Sequence, residues 1–201
     1  MATASQAKHK FCRRIGQCVW SDPKCPSAKR PYPAGQHGKT GRKKKLSGFG
    51  ELMMEKQKLR AHYAISEKQL VLAFHKAKQG EGKTNEKLIR SIEQRLDAFL
   101  YRSGFAPTIF AAKQFITHGH IMVDGHKVDR PSYQMKEGQS VTINAEKSPA
   151  IAEIAKKTNS TVPGYIMVET EALKATLVRT PEISEIPVNA NIMSVVEYYA
   201  R

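Results

Sequence analysis

The chain has 201 residues, 40 % of them hydrophobic, with 33 Lys and Arg against 18 Asp and Glu for a formal charge of +15. That length allows one compact domain or two small ones, and the charge calls for a polyanionic partner, either nucleic acid or an anionic membrane surface. No apolar run reaches the ~20 residues that cross a bilayer; the opening MATASQAKHK lacks the apolar stretch of a secretion signal, while its Ser, its Lys and its shortage of acids leave an organelle transit peptide open.

The basic residues gather at one end. Residues 1–45 carry 12 Lys and Arg against one acid, Asp22, whereas 148–201 carry five basic and six acidic residues. The first end is expected to meet the polyanion, the other to pack or to meet protein. Residues 1–48 read as irregular. Pro31 and Pro33 in RPYPAGQHG remove backbone donors and hold their predecessors extended, and RKKK follows at 42–45. Interspersed aromatic, Cys and Gly residues set this stretch apart from a disordered tail, so an arm that orders on its partner is expected. All three cysteines of the chain, Cys12, Cys18 and Cys25, lie close together in it, and His9 stands just before the first. Without a secretion signal, and odd in number, they read as reduced thiols or metal ligands rather than a disulfide framework.

Residues 49–63, FGELMMEKQKLRAHY, predict a helix, with Leu52 and Leu59 at helical spacing and Lys56, Lys58 and Arg60 adding charge. Ser66 with Gln69 is a capping-box pattern that starts a second helix, striped by Leu70, Phe74 and Ala77. QGEGKT at 79–84 breaks it. Thr84 is expected to cap a third helix whose apolar face runs through Leu88, Ile89, Ile92, Leu96, Phe99 and Leu100 to a left-handed stop at Gly104. Thr108 caps a fourth through His118, closed by Gly119. The period then changes to two. Asp124-Gly125 within 120–129 signals a type I′ hairpin, Glu137-Gly138 a second turn, and 140–143 a strand. Residues 86–144 thus predict a helix pair and a short antiparallel sheet. Beyond them come a helix at 149–157, short strands in GYIMVE and KATLVR, and a closing helix within 188–201 with Ile192, Val195, Val196 and Tyr199 inward.

PYPAGQHG at 31–38, EKQKLRAHYAISEKQ at 55–69, RLDAFLYRSGFA at 95–106, HGHIMVDGHKVDRPSY at 118–133 and the ending VVEYYAR resemble the bacterial-type small-subunit ribosomal protein S-four family, in that family's order. The resemblance covers almost the whole chain. The helix pair and hairpin alone would indicate only the RNA-binding domain that many RNA-modifying enzymes also carry. The resemblance implies an α+β fold: a basic arm at 1–48, a mostly helical body domain made from both chain ends, 49–92 and 158–201, and an inserted S-four-type RNA-binding domain at 93–157, of two helices plus a short antiparallel sheet. It also implies a structural, non-catalytic role. Such a protein binds small-subunit rRNA early, nucleates assembly of the body of the subunit, and affects translational accuracy with its neighbours S-five and S-twelve. S-three, and mRNA where it enters the subunit, are further expected partners; a membrane or a small-molecule substrate is not. The expected location is the cytoplasmic small ribosomal subunit, with organelle import left open.

Phosphate contact needs Lys and Arg on rigid elements and supplies affinity rather than base reading. A folded rRNA junction is recognised by shape, 2′-OH groups and stacking. The expected contacts in the arm are Arg13, Arg14, Lys29, Arg30, Gln36, His37, Arg42, Lys43, Lys44 and Lys45. Lys56, Lys58, Arg60 and Lys68 extend them along the next two helices. Arg95, Arg102, Lys113, His118, His120, Lys127, Arg130, Ser132 and Tyr133 form the basic edge of the RNA-binding domain. His118 and His120 equally suit hydrogen bonds inside the fold. Two positions depart from the family. Ile109 stands where many members have Arg, leaving Lys113 to carry more of that edge. Asp124-Gly125 replaces the usual Asn-Gly, making the same turn with a negative charge near RNA.

The family also bears on the cysteines. Cys12 and Cys25 fall on family ligand positions, His9 stands where the first Cys would be, and the remaining position falls at Trp20, shortly after Cys18. The set is therefore His9, Cys12, Cys18 and Cys25, with Cys18 out of register. Its chemistry suits a tetrahedral structural zinc site; the alternative is a remnant of reduced thiols. An iron–sulfur cluster prefers four thiolates. Two rival functions fit less well. An RNA-modifying enzyme, a pseudouridine synthase or methyltransferase, needs a catalytic domain, yet the stretch after Asn144 is too short to be one and no glycine-rich cofactor loop is present. A zinc-finger regulator of DNA needs a finger spacing and a recognition helix after the cysteines, and neither is there.

Overall fold

The computed structural model describes residues 9–20, 22, 24–41, 45–145, 147–158 and 161–201. In chain order its helices are α1 Lys10–Ile15, α2 Gly48–His62, α3 Glu67–Gln79, α4 Thr84–Glu93, α5 Leu96–Arg102, α6 Ile109–Thr117, α7 Pro149–Lys157 and α8 Ile192–Ala200. The strands are β1 Ile121–Val123, β2 His126–Lys127, β3 Ser140–Ile143, β4 Ile166–Glu169 and β5 Lys174–Leu177. The chain forms two compact units: one takes in the chain up to Val71 together with Val188–Arg201, and the other is Leu72–Pro187.

In the first unit each helix carries a stop or start that local sequence supplies. Gly16, at φ 79°, ends α1 in the left-handed conformation and donates its N–H to the Cys12 carbonyl at 2.9 Å. The Ser47 side chain accepts from the Gly50 N–H at the start of α2. Ser66 and Gln69 exchange reciprocal bonds, each 3.3 Å, which is the expected capping box ahead of α3. Asn191 caps α8 by accepting from Ser194 at 3.2 Å. α8 packs on α2 with Val195 fully buried and Ile192, Val196 and Tyr199 half-buried, so the inward face is the expected one.

The second unit is built on a five-stranded antiparallel sheet of order β2-β1-β3-β5-β4. Alternation decides which face is buried: Ile121 and Val123, Val141 and Ile143, and Ala175 and Leu177 turn inward from β1, β3 and β5. They meet Leu96, Phe99 and Leu100 of α5 and Ala112 and Ile116 of α6 in one core. The hairpin is the expected type I′ turn: Asp124 and Gly125 both have positive φ, 48° and 81°.

Three features differ from the sequence reading. The stretch 1–48, read as irregular, contains the helix α1. The long third helix is two helices. Arg95 is extended, with φ −66° and ψ 143°, and forms a bridge with Gln134. The Leu96 N–H donates to the Tyr133 carbonyl at 2.8 Å and the Met135 N–H to the Gln94 carbonyl at 2.8 Å. Bonds from the Leu96 and Asp97 N–H groups to the distant Tyr133 and Pro131 carbonyls thus replace the helical ladder there, which a continuous apolar stripe conceals. The segment expected in the helical body, 158–201, is also divided. Its strands β4 and β5 complete the sheet, with Ser140, Val141 and Thr142 of β3 registered on Thr176, Ala175 and Lys174 of β5. β3 would otherwise leave a row of unpaired backbone groups along a buried edge.

Candidate RNA interface and metal centre

The arm folds around its thiols. His9, Cys12, Cys18 and Cys25 bring one ligand atom each into a group whose members all lie within 4.8 Å of one another. Cys12 and Cys25 are buried, Cys18 and His9 half-buried. Cys18, out of register in the sequence, reaches the group because the left-handed Gly16 turns the chain directly after α1. Trp20, which occupies the family ligand position, anchors the arm instead. Its indole N–H donates to the His62 carbonyl at 3.2 Å, and His62 Nδ1 is 3.0 Å from the Val19 carbonyl.

The thiols perturb one another. Burial pushes the Cys12 thiol up to about 12, opposed by a backbone hydrogen bond at Val19 and assisted by the charges of Cys25 and Cys18. Burial also raises Cys25, but hydrogen bonds from the Ser27 hydroxyl and N–H and from the neighbouring thiols outweigh it and leave Cys25 below the ordinary thiol value. Ser27 Oγ lies 3.0 Å from Cys25 Sγ and is itself buried. Three sulfurs and an imidazole nitrogen are the donors of a tetrahedral zinc site, in which ~2.3 Å Zn–S bonds set sulfurs about 3.8 Å apart. With all four ligand atoms within 4.8 Å of one another, the donor set fits the ion.

The basic residues divide by environment. In the arm, Arg14, Lys29, Arg30, Gln36, His37 and Lys45 are exposed, while Arg13 is half-buried, its guanidinium on the Tyr32 and Pro33 carbonyls and 5.0 Å from the Tyr32 ring centre. Arg42, Lys43 and Lys44 lie outside the described residues. On α2 and α3, Lys68 is exposed and Lys58 and Arg60 are half-buried beside Glu55 and Glu67. Lys56 is not on a surface: it is 5 % exposed, 3.0 Å from Glu67 and 4.5 Å above the Tyr198 ring. The neighbours that α8 brings to α2 put it there.

The expected edge of the RNA-binding domain splits the same way. Arg95 is 7 % exposed and grips Asp97 with two bonds, 3.0 and 2.7 Å. Arg102 is 8 % exposed and donates to Glu93 at 2.6 Å, and the Tyr165 hydroxyl donates to the same carboxylate at 2.8 Å. Burial, then the Glu93 charge, pushes the Tyr165 hydroxyl above its ordinary value. These two arginines hold the core together rather than line the edge. Lys113 is half-buried, 3.6 Å from Asp97. Burial, with the Arg95 charge, keeps its ammonium below the ordinary lysine value despite the Asp97 carboxylate. His120 bonds Ser148, the internal alternative that the sequence left open for either histidine. Tyr133 is half-buried and shares hydrogen bonds with Gln139. Ile109 is buried in the core, where a charged side chain would be taken out of water.

What remains exposed at the edge is His118, Lys127, Arg130 and Ser132. Lys127 lies across Gly119, where any Cβ would strike its side chain, and Gly119 has φ +73°. Asp124 is turned to Ser140 and Gln139: the Ser140 N–H donates to it at 2.8 Å and, with the Gln139 amide at 2.9 Å, holds its carboxyl below the usual range. Its carboxylate thereby ties the hairpin turn to the start of β3. Sequence reasoning missed Ser27 and Asp22 beside the thiols. Asp22, the single acid of the arm, was the visible signal.

Among the described residues no helix is long and apolar enough to cross a membrane. The family described as "Ribosomal protein S4/S9 N-terminal domain" matches residues 4–93, and the "S4 domain" matches 94–141. The chain is 42 % identical over 207 residues to a protein of Dinoroseobacter shibae named small ribosomal subunit protein uS4. It is 41 % identical over 205 residues to the protein of that name from Phenylobacterium zucineum, and 43 % over 207 residues to that of Acidiphilium cryptum. Each of these matches covers 100 % of both chains.

Proposed function

This chain belongs to the uS4 family of small ribosomal subunit proteins, and from that premise we propose that it is a structural constituent of the small subunit that binds the subunit's rRNA. The observation that carries the reading is the full-length match. An enzyme with an appended S4 domain would share residues 94–141 and diverge elsewhere, whereas here 100 % of each chain is aligned. Residues 94–141 and the segments flanking them therefore act as one rRNA binder, and no catalysis is assigned.

The exposed cations support the electrostatic part. Arg14, Lys29, Arg30 and Lys45, with Lys68, serve phosphate contact in the first unit, and Lys127 and Arg130 serve it in the second, where the exposed His118 imidazole adds a hydrogen-bonding group. Gln36, His37 and Ser132 are exposed hydrogen-bonding groups suited to sugar and phosphate. Early binding, nucleation of subunit assembly, an effect on accuracy with S-five and S-twelve, and proximity to S-three and mRNA follow as roles of the family. So does a cytoplasmic ribosomal location. The His9, Cys12, Cys18 and Cys25 set holds one structural Zn²⁺, because four donors close the coordination shell and leave no position for water. The ion would order an arm that has little apolar surface of its own.

The test is twofold. The tagged chain should travel with small subunits in a sucrose gradient. Purified, it should bind small-subunit rRNA fragments with an affinity that falls ~10³–10⁵-fold between about 50 and 200 mM salt, as ~6–10 phosphate contacts require. A chain absent from small subunits, or a flat salt dependence, overturns the reading.

A further inference from the structure

Asp22 is the one acid between Met1 and Gly48, in a stretch otherwise strongly basic. It could be an ordinary turn residue, since its Oδ1 accepts from the Lys24 N–H at 2.9 Å, the pattern of an Asx turn. Two other contacts, to Cys18 and His9, go beyond a turn; a third, from the Cys25 N–H, closes that turn on a ligand residue. The Asp22 N–H donates to Cys18 Sγ at 3.3 Å. Its carbonyl accepts from the Cys25 N–H at 3.0 Å. Its Oδ2 lies 3.6 Å from His9 Nε2. Thus Asp22 touches three of the four residues in the thiol–imidazole group.

The orientation of His9 gives this meaning. Nδ1 is the nitrogen turned to the thiols, 3.2 Å from Cys25 Sγ, and Nε2 is turned to the carboxylate. A histidine that ligates a metal through one nitrogen commonly donates its other N–H to a carboxylate, which fixes the tautomer and raises the basicity of the ligating atom.

We propose that Asp22 is the positioning residue of the metal site formed by His9, Cys12, Cys18 and Cys25, its carboxylate holding His9 for ligation through Nδ1 while its backbone sets Cys18 and Cys25. The inference rests on the zinc reading above. It also explains how Cys18 serves from a shifted position. Asp22 brings an N–H to the Cys18 sulfur and a carboxylate to the opposite ligand, so one side chain and its backbone couple the two ends of the loop.

The deciding substitution is Asp22→Asn. Asparagine keeps an oxygen for the Lys24 N–H and keeps both backbone bonds, but removes the charge that faces His9. In the purified full chain, Co²⁺ should bind with the visible spectrum of a tetrahedral thiolate-rich site and be displaced by Zn²⁺. Asp22→Asn should weaken Zn²⁺ by ~10–100-fold, the range for a lost carboxylate behind a ligating histidine. In ¹⁵N spectra of the zinc-loaded wild type, His9 should show a coordinated Nδ1 and a protonated Nε2. An affinity for Asp22→Asn within about twofold of wild type, well short of that range, would reduce Asp22 to a turn residue and overturn the proposal. So would a His9 coordinated through Nε2. A wild-type chain that takes up neither ion overturns the zinc reading itself, and this inference with it.

Discussion

Arg102 illustrates how burial changes the meaning of a basic residue. Its Nε lies 2.6 Å from Glu93 Oε1, and the two side chains are 8 % and 0 % exposed. Arg102→Ala removes the cation facing a carboxylate that is closed off from water. Removing one partner of such a pair costs about 3–5 kcal/mol, because the remaining charge stays buried without its counterpart. With an m value of about 2 kcal/mol per molar urea, the unfolding midpoint of the second unit should fall by about 1.5–2.5 M. Circular dichroism is the suitable probe, since the single tryptophan, Trp20, belongs to the other unit. Adding Glu93→Gln to Arg102→Ala should recover part of the loss: a neutral amide is cheaper to bury and can still accept from the Tyr165 hydroxyl. A midpoint shift in Arg102→Ala below about 0.5 M, with rRNA affinity lost, would refute this reasoning and return Arg102 to the RNA surface.

The exposed edge should behave oppositely. Lys127→Glu with Arg130→Glu should lower the salt slope of rRNA binding by about 2 and weaken it across sequences, while stability stays within about 0.5 kcal/mol of wild type; filter-binding titrations at several salt concentrations check both arms against urea curves. Acid should loosen the first unit by way of Glu67. Burial raises that carboxyl, but hydrogen bonds from Tyr199 and Lys56, the Lys56 charge and Arg60 outweigh it and hold it below the ordinary value. A lowered folded value means its contribution is complete above the ordinary carboxylate range, ~4.3, and is lost as pH falls through the lowered one. Tyrosine fluorescence followed against pH in wild type and Glu67→Gln should show this acid transition only in the wild type.

Much was legible because it is local. The type I′ turn at Asp124-Gly125 needs two adjacent residues that tolerate positive φ. The Ser66–Gln69 box spans a single helical turn, and the inward positions of β3 follow from period two. The gathering of His9, Cys12, Cys18 and Cys25 was legible for a related reason: they share one short stretch of chain, so their proximity could be read from it.

What only the tertiary structure decided depends on residues far apart in the chain. Glu93 and Tyr165 are 72 positions apart, and Lys56 and Tyr198 are 142 apart. No local pattern separates an arginine that will meet a buried glutamate from one that will meet phosphate, because both are helix-compatible cations flanked by the same residue types. Burial makes the difference, and burial is set when β5 pairs with β3 and α8 covers α2. The same holds for the break at Arg95, imposed by the Leu96 N–H donating to the Tyr133 carbonyl and the Met135 N–H donating to the Gln94 carbonyl. Sequence alone determined the family, the turns and the closeness of His9 to the three cysteines. The fold determined which cations face outward, since a charge taken out of water must find its partner inside the protein.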